Sequence, residues 1–214
     1  NRLVVYATTD TLSGEEALTL IDSDSLLRTE KNVNPGISDA AYWIRFDILN
    51  NHPEAIRFFL EIDYAQLDYL QLFEINDGEI NQLEETCDRF PFDVRPVQYR
   101  NFVFPLEVSK GETRSYLLNI DKRLSATRFP TSLYTESSFW KMYNRETIFY
   151  GFCFGFLALV TIISLLIGIR LRLNIFIWYA LYVLTFGLRC FAKLGYGYQY
   201  ITHDFPEFNT HFFP

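Results

Sequence analysis

The side chains best suited to chemistry are aromatic and charged groups that alternate along two predicted strands. Trp43 and Arg45 share one side of the first strand, and Phe59 and Glu61 share one side of the next. An aromatic ring beside an arginine and a carboxylate suits a sugar, because the ring stacks on its apolar face while polar groups bind its hydroxyls. The four would form one ligand-binding face if the two strands pair. Alternatively, the N-terminal segment covers this face, and Arg45 pairs with Glu61 or Asp47 as structural packing.

Two further arginines, Arg95 and Arg100, lie close together around Pro96 and Tyr99. Their forked donors could bind an anionic or hydroxylated ligand. The structural alternative is that they bind loop carbonyls or pair with Asp93.

Catalytic chemistry has little support in the sequence. Asp63 and Asp68 could be taken for the carboxylate pair of a glycosidase, which needs two carboxyls facing one bond, but a turn or capping role explains Asp68 better. There is no His-Glu-x-x-His motif, nucleophile elbow or phosphate-binding loop. We therefore expect no catalytic residue, no metal site and no cofactor.

Charge divides the 214-residue chain into two parts. Residues 1–146 carry 15 basic and 24 acidic side chains, whereas residues 147–214 carry 4 and 2. The net charge of −7 argues against a nucleic-acid-binding protein, and the 49% hydrophobic content excludes a disordered chain.

Two apolar runs in the second part predict membrane-spanning helices at about 147–169 and 174–194. The first contains 23 residues without a charge, or roughly 35 Å of helix, where a bilayer core needs about 20 residues. Only a short loop, 170–173, separates them, so they form an antiparallel hairpin. Its two arginines place the loop in the cytoplasm, and hence residues 1–146 outside it.

Small and basic residues in these spans allow two interpretations each. Gly151, Gly155 and Ala158 share one helix face, which favours packing within a helical bundle or, alternatively, dimerisation. Arg189 and Lys193 near the outer end of the second span either extend to the membrane interface or form a basic face that meets the outer domain.

The region before the spans is predicted to be an antiparallel β-sandwich over residues 1–136. Apolar residues alternate with polar ones in several short segments separated by turn signals. The alternating apolar residues are Tyr42, Ile44, Phe46, Ile48, Ile56, Phe58, Leu60, Ile62, Leu70, Leu72, Phe102, Phe104, Leu106, Tyr116, Leu118 and Ile120. A capping box at Ser13–Glu16 predicts one short helix. A juxtamembrane helix or linker, 137–146, is expected to begin near Ser137 or Ser138 and lead into the first span.

A series of segments in this chain resembles a known family. In order they are Ile37–Phe46, Leu60–Ile62, Leu67–Phe73, Phe90–Pro96, Phe102–Leu106, Phe149–Gly155, Trp178–Tyr182 and Gly195–Tyr200. Their order and spacing resemble the second type of extracellular domain, followed by the start of the membrane domain, of bacterial seven-transmembrane receptors with diverse intracellular signalling modules (7TMR-DISM). The resemblance implies a mainly β fold, a jelly roll similar to carbohydrate-binding modules, and seven membrane helices, of which two are present. A cytoplasmic output domain would lie beyond this chain.

Three functions follow as hypotheses. The first is the sensor and membrane part of an inner-membrane signalling receptor that is not itself an enzyme. Its expected partners are a carbohydrate or related small ligand, the lipid bilayer and, in one version, a second copy of the chain. The second is a membrane-anchored protein–protein interaction module with no small ligand. The third is a membrane-anchored glycan hydrolase, for which no paired-carboxylate geometry is evident.

Overall fold

The computed structural model describes residues 3–23, 27–29, 33–38, 40–65, 67, 69–76, 78–87, 90–121 and 125–202. Within them, eleven strands precede two long helices, with one short helix near the start and another at the end. The strands are β1 (Leu3–Thr8), β2 (Leu27–Thr29), β3 (Val33–Ser38), β4 (Ala41–Leu49), β5 (Ile56–Ile62), β6 (Tyr69–Asn76), β7 (Glu79–Thr86), β8 (Phe102–Val108), β9 (Thr113–Asp121), β10 (Ser125–Phe129) and β11 (Thr131–Thr135). The helices are α1 (Gly14–Ser23), α2 (Glu136–Leu171), α3 (Asn174–Lys193) and α4 (Tyr196–Tyr200).

The strands form antiparallel sheets, and the two larger ones make a jelly-roll sandwich. The described strands give a six-stranded sheet in the order β2-β1-β4-β9-β6-β7, a three-stranded sheet β11-β5-β8 and a two-stranded pair β10-β3. The core lies between the six-stranded and three-stranded sheets, with buried apolar side chains from both. The mainly β fold expected from the sequence is therefore confirmed.

The alternation of apolar residues is confirmed strand by strand. On β4, Tyr42, Ile44, Phe46 and Ile48 are all buried in this core. Residues of β6 and β9 join them from the same sheet, namely Leu70, Leu72, Tyr116, Leu118 and Ile120. The opposite sheet contributes residues of β5 and β8, namely Leu60, Ile62, Phe102, Phe104 and Leu106. Hydrophobic burial, at ~1.5–3 kcal/mol for each large side chain, thus fixes which face of each strand is internal.

Helix α1 covers the outer face of the six-stranded sheet. Its predicted capping box is present: the Ser13 amide donates to Glu16 Oε2 at 2.9 Å, and the Glu16 amide donates to Ser13 Oγ at 3.3 Å. The buried side of α1 is formed by Ala17 and Ile21, which pack on Trp43 and its neighbours in the sheet. The helix is therefore a second layer on that sheet.

Helices α2 and α3 are long and apolar enough to cross a membrane, by length and composition. The 36 residues of α2 correspond to about 54 Å and the 20 residues of α3 to about 30 Å. Helix α2 begins at Glu136, slightly before the expected start, and continues without a break through the expected linker and the first span. It ends at Leu171, and the φ of 51° at the next residue, Arg172, turns the chain into α3.

The two long helices approach each other closely near their shared loop, at Gly168. A Cβ atom on Gly168 would lie 2.8 Å from Ile177 Cγ1, so only glycine fits there. A Cβ on Gly151 or Gly155 would meet no atom within 4 Å. This pair therefore takes no part in the α2–α3 contact, and its packing against other helices of a bundle, or in a dimer, stays a prediction.

Candidate functional site

The four residues predicted to share a ligand-binding face lie on two different sheets. Strand β4, with Trp43 and Arg45, pairs with β1 and β9. Strand β5, with Phe59 and Glu61, pairs with β8 and β11 in the opposite sheet. Consecutive strands joined by a turn can cross from one layer of a sandwich to the other, as they do here. The shared face of Trp43, Arg45, Phe59 and Glu61 is therefore wrong as a geometric prediction.

Trp43 lies beneath α1. Its side chain is only 1% exposed and packs with Ala17, Ile21, Phe73 and Leu117. Arg45 forms an ion pair with Asp22 at the end of α1. The N-terminal segment therefore covers this face, as the alternative interpretation expected, but the partner of Arg45 is Asp22 and not Glu61 or Asp47.

Phe59 points the other way, towards the first turns of α2. Its ring stacks on Phe139 with a centroid distance of 4.9 Å, and Trp140 packs against it edge-on at 6.2 Å. Phe139 is fully buried, together with Val103 and Tyr99. The outer face of the three-stranded sheet is therefore the surface on which the long helix is mounted.

A hydrogen-bonded ion pair joins the sandwich to α2 next to this aromatic contact. Arg100 Nη2 donates to Glu146 Oε2 at 2.8 Å, and Tyr99 Oη donates to the same oxygen at 2.7 Å. Burial and this hydrogen bond raise the pKa of Tyr99, so its hydroxyl remains a donor. We call this region, from Phe59 and the segment 90–101 to α2 and α4, the junction.

Arg95 organises the loop that carries Arg100. It is buried, and its Nη1 donates to the carbonyl oxygens of Tyr99 and Arg100 at 3.2 and 3.1 Å. Its guanidinium lies 4.1 Å from the ring centre of Phe102 and 5.3 Å from that of Tyr198. Cations over aromatic rings are stabilised by the ring quadrupole, so Arg95 links the loop to α4. This placement fits the structural alternative for Arg95.

Helix α4 and the turn before it pack against the same part of the sandwich. Gly195, just before it, has a φ of +83°, and a Cβ there would lie 2.7 Å from Ala65 Cβ and 2.9 Å from the Arg100 carbonyl oxygen. The Tyr198 hydroxyl donates to the carbonyl of Phe90. The chain therefore contacts the sandwich both where it enters the first span and where it leaves the second.

Glu61 belongs to a polar cluster within the junction. It is 4% exposed, and Asn101 Nδ2 donates to Glu61 Oε1 at 2.7 Å and to Asp63 Oδ1 at 2.8 Å. Burial raises the pKa of Glu61 to about 7; the Asn101 hydrogen bond opposes that rise, while the charges of Asp63 and Glu146 add to it. The carboxylate beside Asp63 is thus Glu61. Asp68 lies outside the described residues.

The sequence interpretation named Arg95, Arg100, Phe59 and Glu61 but missed the groups that join them. These are Tyr99, Asn101, Glu146 and Gly195. One signal was available, because Glu146 is the last charged residue before the 23-residue apolar run. A carboxylate at the end of a membrane helix is expected to have a polar partner.

The remaining residues singled out from the sequence lie on the long helices. Ala158 lines an open apolar groove of about 250 Å³ between α2 and α3, together with Phe154, Val183 and Leu188. Arg189 and Lys193 are exposed. Among the described residues, no group of three histidine, cysteine or acidic side chains could hold a metal ion.

Two family models match the chain in succession. The model described as 7TMR-DISM extracellular 2 matches residues 8–135, and the model described as 7TM diverse intracellular signalling matches residues 146–214. No curated protein matches the chain.

Several solved carbohydrate-active proteins show a distant likeness. One is a β-glucosidase from Kluyveromyces marxianus in complex with glucose, with a TM-score of 0.36 and 10% identity. The others are a GH31 α-xylosidase from Xanthomonas citri, with a TM-score of 0.33 and 11% identity, and the family 32 CBM from C. perfringens NanJ in complex with galactose, with a TM-score of 0.27 and 8% identity. Each match covers 62% of this chain. The matches cover 16%, 13% and 93% of those chains respectively. This chain thus corresponds to a small part of either glycosidase.

Proposed function

This chain belongs to the 7TMR-DISM family, and from that premise we propose that it is the ligand-sensing and first membrane part of a bacterial signalling receptor. Both matched domains are sensory or signalling domains, which fits a protein without catalytic activity of its own. Residues 1–146 lie on the outer side of the inner membrane, and the loop 170–173 lies in the cytoplasm. The ligand is a carbohydrate or a related small molecule.

One observation supports the proposal above all others: α2 is continuous from the sandwich to the far end of the first span. The same helix carries Phe139, which stacks on Phe59, Glu146, which binds Arg100, and the apolar stretch that ends at Leu171. A change in how the sandwich sits would move a rigid element that crosses the bilayer. A ligand produces such a change only if it binds two arrangements of the sandwich unequally.

The proposed orientation agrees with the lengths and charges of the helices. Helix α3 has the length of one bilayer crossing, whereas α2 is 16 residues longer and has its extra turns at the end mounted on the sandwich. The opposite end carries Arg170 in the last turn of α2 and Arg172 just after it, as expected for a cytoplasmic end.

The ligand proposal is tested with the full chain in lipid nanodiscs. We expect at least one member of a library of mono- and oligosaccharides to raise the temperature at which the sandwich unfolds. A ligand present at 100 times its Kd stabilises by about 2.7 kcal/mol. The signal is the fluorescence of Trp43, which is buried beneath α1, in a chain with phenylalanine at Trp140 and Trp178.

The variant Asp22→Asn removes the ion pair that fixes Arg45 to α1 and tests whether the covered face takes part. An unchanged sugar response in this variant would count against a site beneath α1. A library without any effect on the native chain, together with a mass that rises with concentration, would instead support the interaction-module alternative.

A further inference from the structure

Two carboxylates at the junction lie next to one arginine, and a third is linked to them through an asparagine. Arg100 Nη2 lies 2.8 Å from Glu146 Oε2 and 3.9 Å from Asp63 Oδ1. Asn101 then connects Asp63 to Glu61 through hydrogen bonds of 2.8 and 2.7 Å. The cluster therefore holds one positive charge against three acidic groups that come from the sandwich and from α2.

Glu61 is the member of this cluster with the least access to water. It is 4% exposed, whereas the side chains of Asp63 and Glu146 are 53% and 29% exposed. Its pKa of about 7 follows chiefly from burial. Glu61 is thus protonated in mildly acidic surroundings and ionised in mildly basic ones.

The groups around Glu61 can be named element by element. Its strand neighbours, Val103 on β8 and Ser132 on β11, carry no charge. The segment 99–101 contributes Tyr99, Arg100 and Asn101, and Asp63 follows the end of β5. Helix α2 contributes Glu146. The ring centre of Tyr196, in α4, lies 5.8 Å from the Arg100 guanidinium. Arg100 is therefore the cation that must balance any charge that Glu61 acquires.

We propose that this cluster is a proton-sensitive latch between the sandwich and the membrane helices. With Glu61 neutral, Asp63, Glu146 and Arg100 sum to one negative charge, and Arg100 stays on Glu146. With Glu61 ionised, the sum is two negative charges in a poorly solvated space, so Glu61 repels Glu146 and attracts Arg100. The sandwich then loosens from α2.

The latch goes beyond the proposed ligand response, because it needs protons alone. It would let the pH outside the membrane set how firmly the sandwich is mounted. The midpoint lies close to neutral pH.

The test is a distance measurement on the full chain in nanodiscs. Spin labels are attached to Lys110→Cys, at the end of the sandwich far from the junction, and to Asn144→Cys, on the exposed side of α2. The background has alanine at Cys87, Cys153 and Cys190. The proposal predicts a narrow distance distribution at pH 6 that broadens at pH 8, with half of the change near pH 7.

Two variants of the labelled protein decide the cause of that broadening. Glu61→Gln is expected to give the narrow distribution at both pH values. The control Glu107→Gln, on the exposed pair with Arg57, keeps the native response. The proposal is overturned if the native distribution is the same at pH 6 and pH 8, or if Glu61→Gln still broadens.

Glu146→Gln is a second test of the latch, for the case in which Glu61→Gln does not fold. It removes the partner of Arg100 on α2, so the distribution should be broad at both pH values. A native-like pH response in this variant would overturn the latch. None of these outcomes depends on a sugar, so a failed ligand screen and a failed latch remain distinguishable.

Discussion

At the scale of single residues, the contact between sandwich and helix depends on charges that each have a specific partner. Glu146 accepts hydrogen bonds from both Arg100 and Tyr99. The sequence marks Arg100 as a candidate site residue but does not identify its partner, because Glu146 is 46 residues away in a different domain. The packing of Phe59 and Tyr99 on Phe139 brings the two together.

Arg100→Gln should destabilise the junction strongly. The substitution leaves Glu146 without its cation in a largely buried site, at a cost of about 3 kcal/mol. The matched control is Arg57→Gln, whose ion pair with Glu107 is exposed and contributes less than about 1 kcal/mol. Urea unfolding of the full chain in detergent micelles, followed by tryptophan fluorescence, compares the two. Equal losses would show that the Arg100 pair contributes nothing beyond an ordinary surface contact.

The stability of the native chain should fall as pH rises from about 4.5 to about 7. The pKa of Glu61 is higher in the folded chain than its ordinary value of 4.5, so the folded state binds more protons in this window. The associated stability is fully present below 4.5 and is lost as pH passes 7, a difference of about 3 kcal/mol. Glu61→Gln should remove this dependence in urea titrations at pH 5, 6, 7 and 8. A parallel slope in both proteins would refute the assignment to Glu61.

At the scale of elements, the sequence predicts well where the strands lie along the chain but poorly which strands pair with each other. Alternation on β4 and β5 correctly identifies the buried faces, because a strand has a side-chain period of two. It does not say which sheet each strand joins, since pairing depends on the core and on turns that cross between layers. That is why the expected face of Trp43 and Glu61 does not form.

The turn at Gly195 should tolerate no other residue. Its φ of +83° strains any L side chain by about 1–2 kcal/mol, and a Cβ would collide with Ala65 and the Arg100 carbonyl. Gly195→Ala is therefore expected to cost about 1–3 kcal/mol more than Gly78→Ala, which has a φ of +87° and open space. Thermal unfolding of the full chain measures both. Similar losses would show that α4 is not held against the sandwich.

The contact between α2 and α3 gives a second matched pair. Gly168→Ala places a methyl group 2.8 Å from Ile177 Cγ1, so the helix pair should lose about 1–3 kcal/mol. Gly151→Ala meets no atom within 4 Å and should gain about 0.5–1 kcal/mol from better helix propensity. The midpoint of helix loss by circular dichroism in micelles distinguishes them. A lower midpoint for Gly151→Ala than for Gly168→Ala would contradict this packing.

At the scale of the whole molecule, the structure is a sandwich mounted on a helical hairpin. The two parts could be predicted from charge and hydropathy, because a bilayer and water select opposite compositions. The junction could not, because it consists of single residues, such as Asn101 and Gly195, that have no pattern of their own. Two connections join the parts, one through α2 and one through α4, so the sandwich and the hairpin can respond to each other.

The most direct test of this account is the side of the membrane on which each part lies. Lys110→Cys and Leu173→Cys are placed separately in a background with alanine at Cys87, Cys153 and Cys190, and intact spheroplasts are treated with a membrane-impermeant maleimide. We predict that the cysteine at 110 is labelled at once and the cysteine at 173 only after the membrane is permeabilised. Labelling of the cysteine at 173 in intact spheroplasts, with the cysteine at 110 protected, would contradict an outward-facing sensor mounted on a membrane-spanning helix.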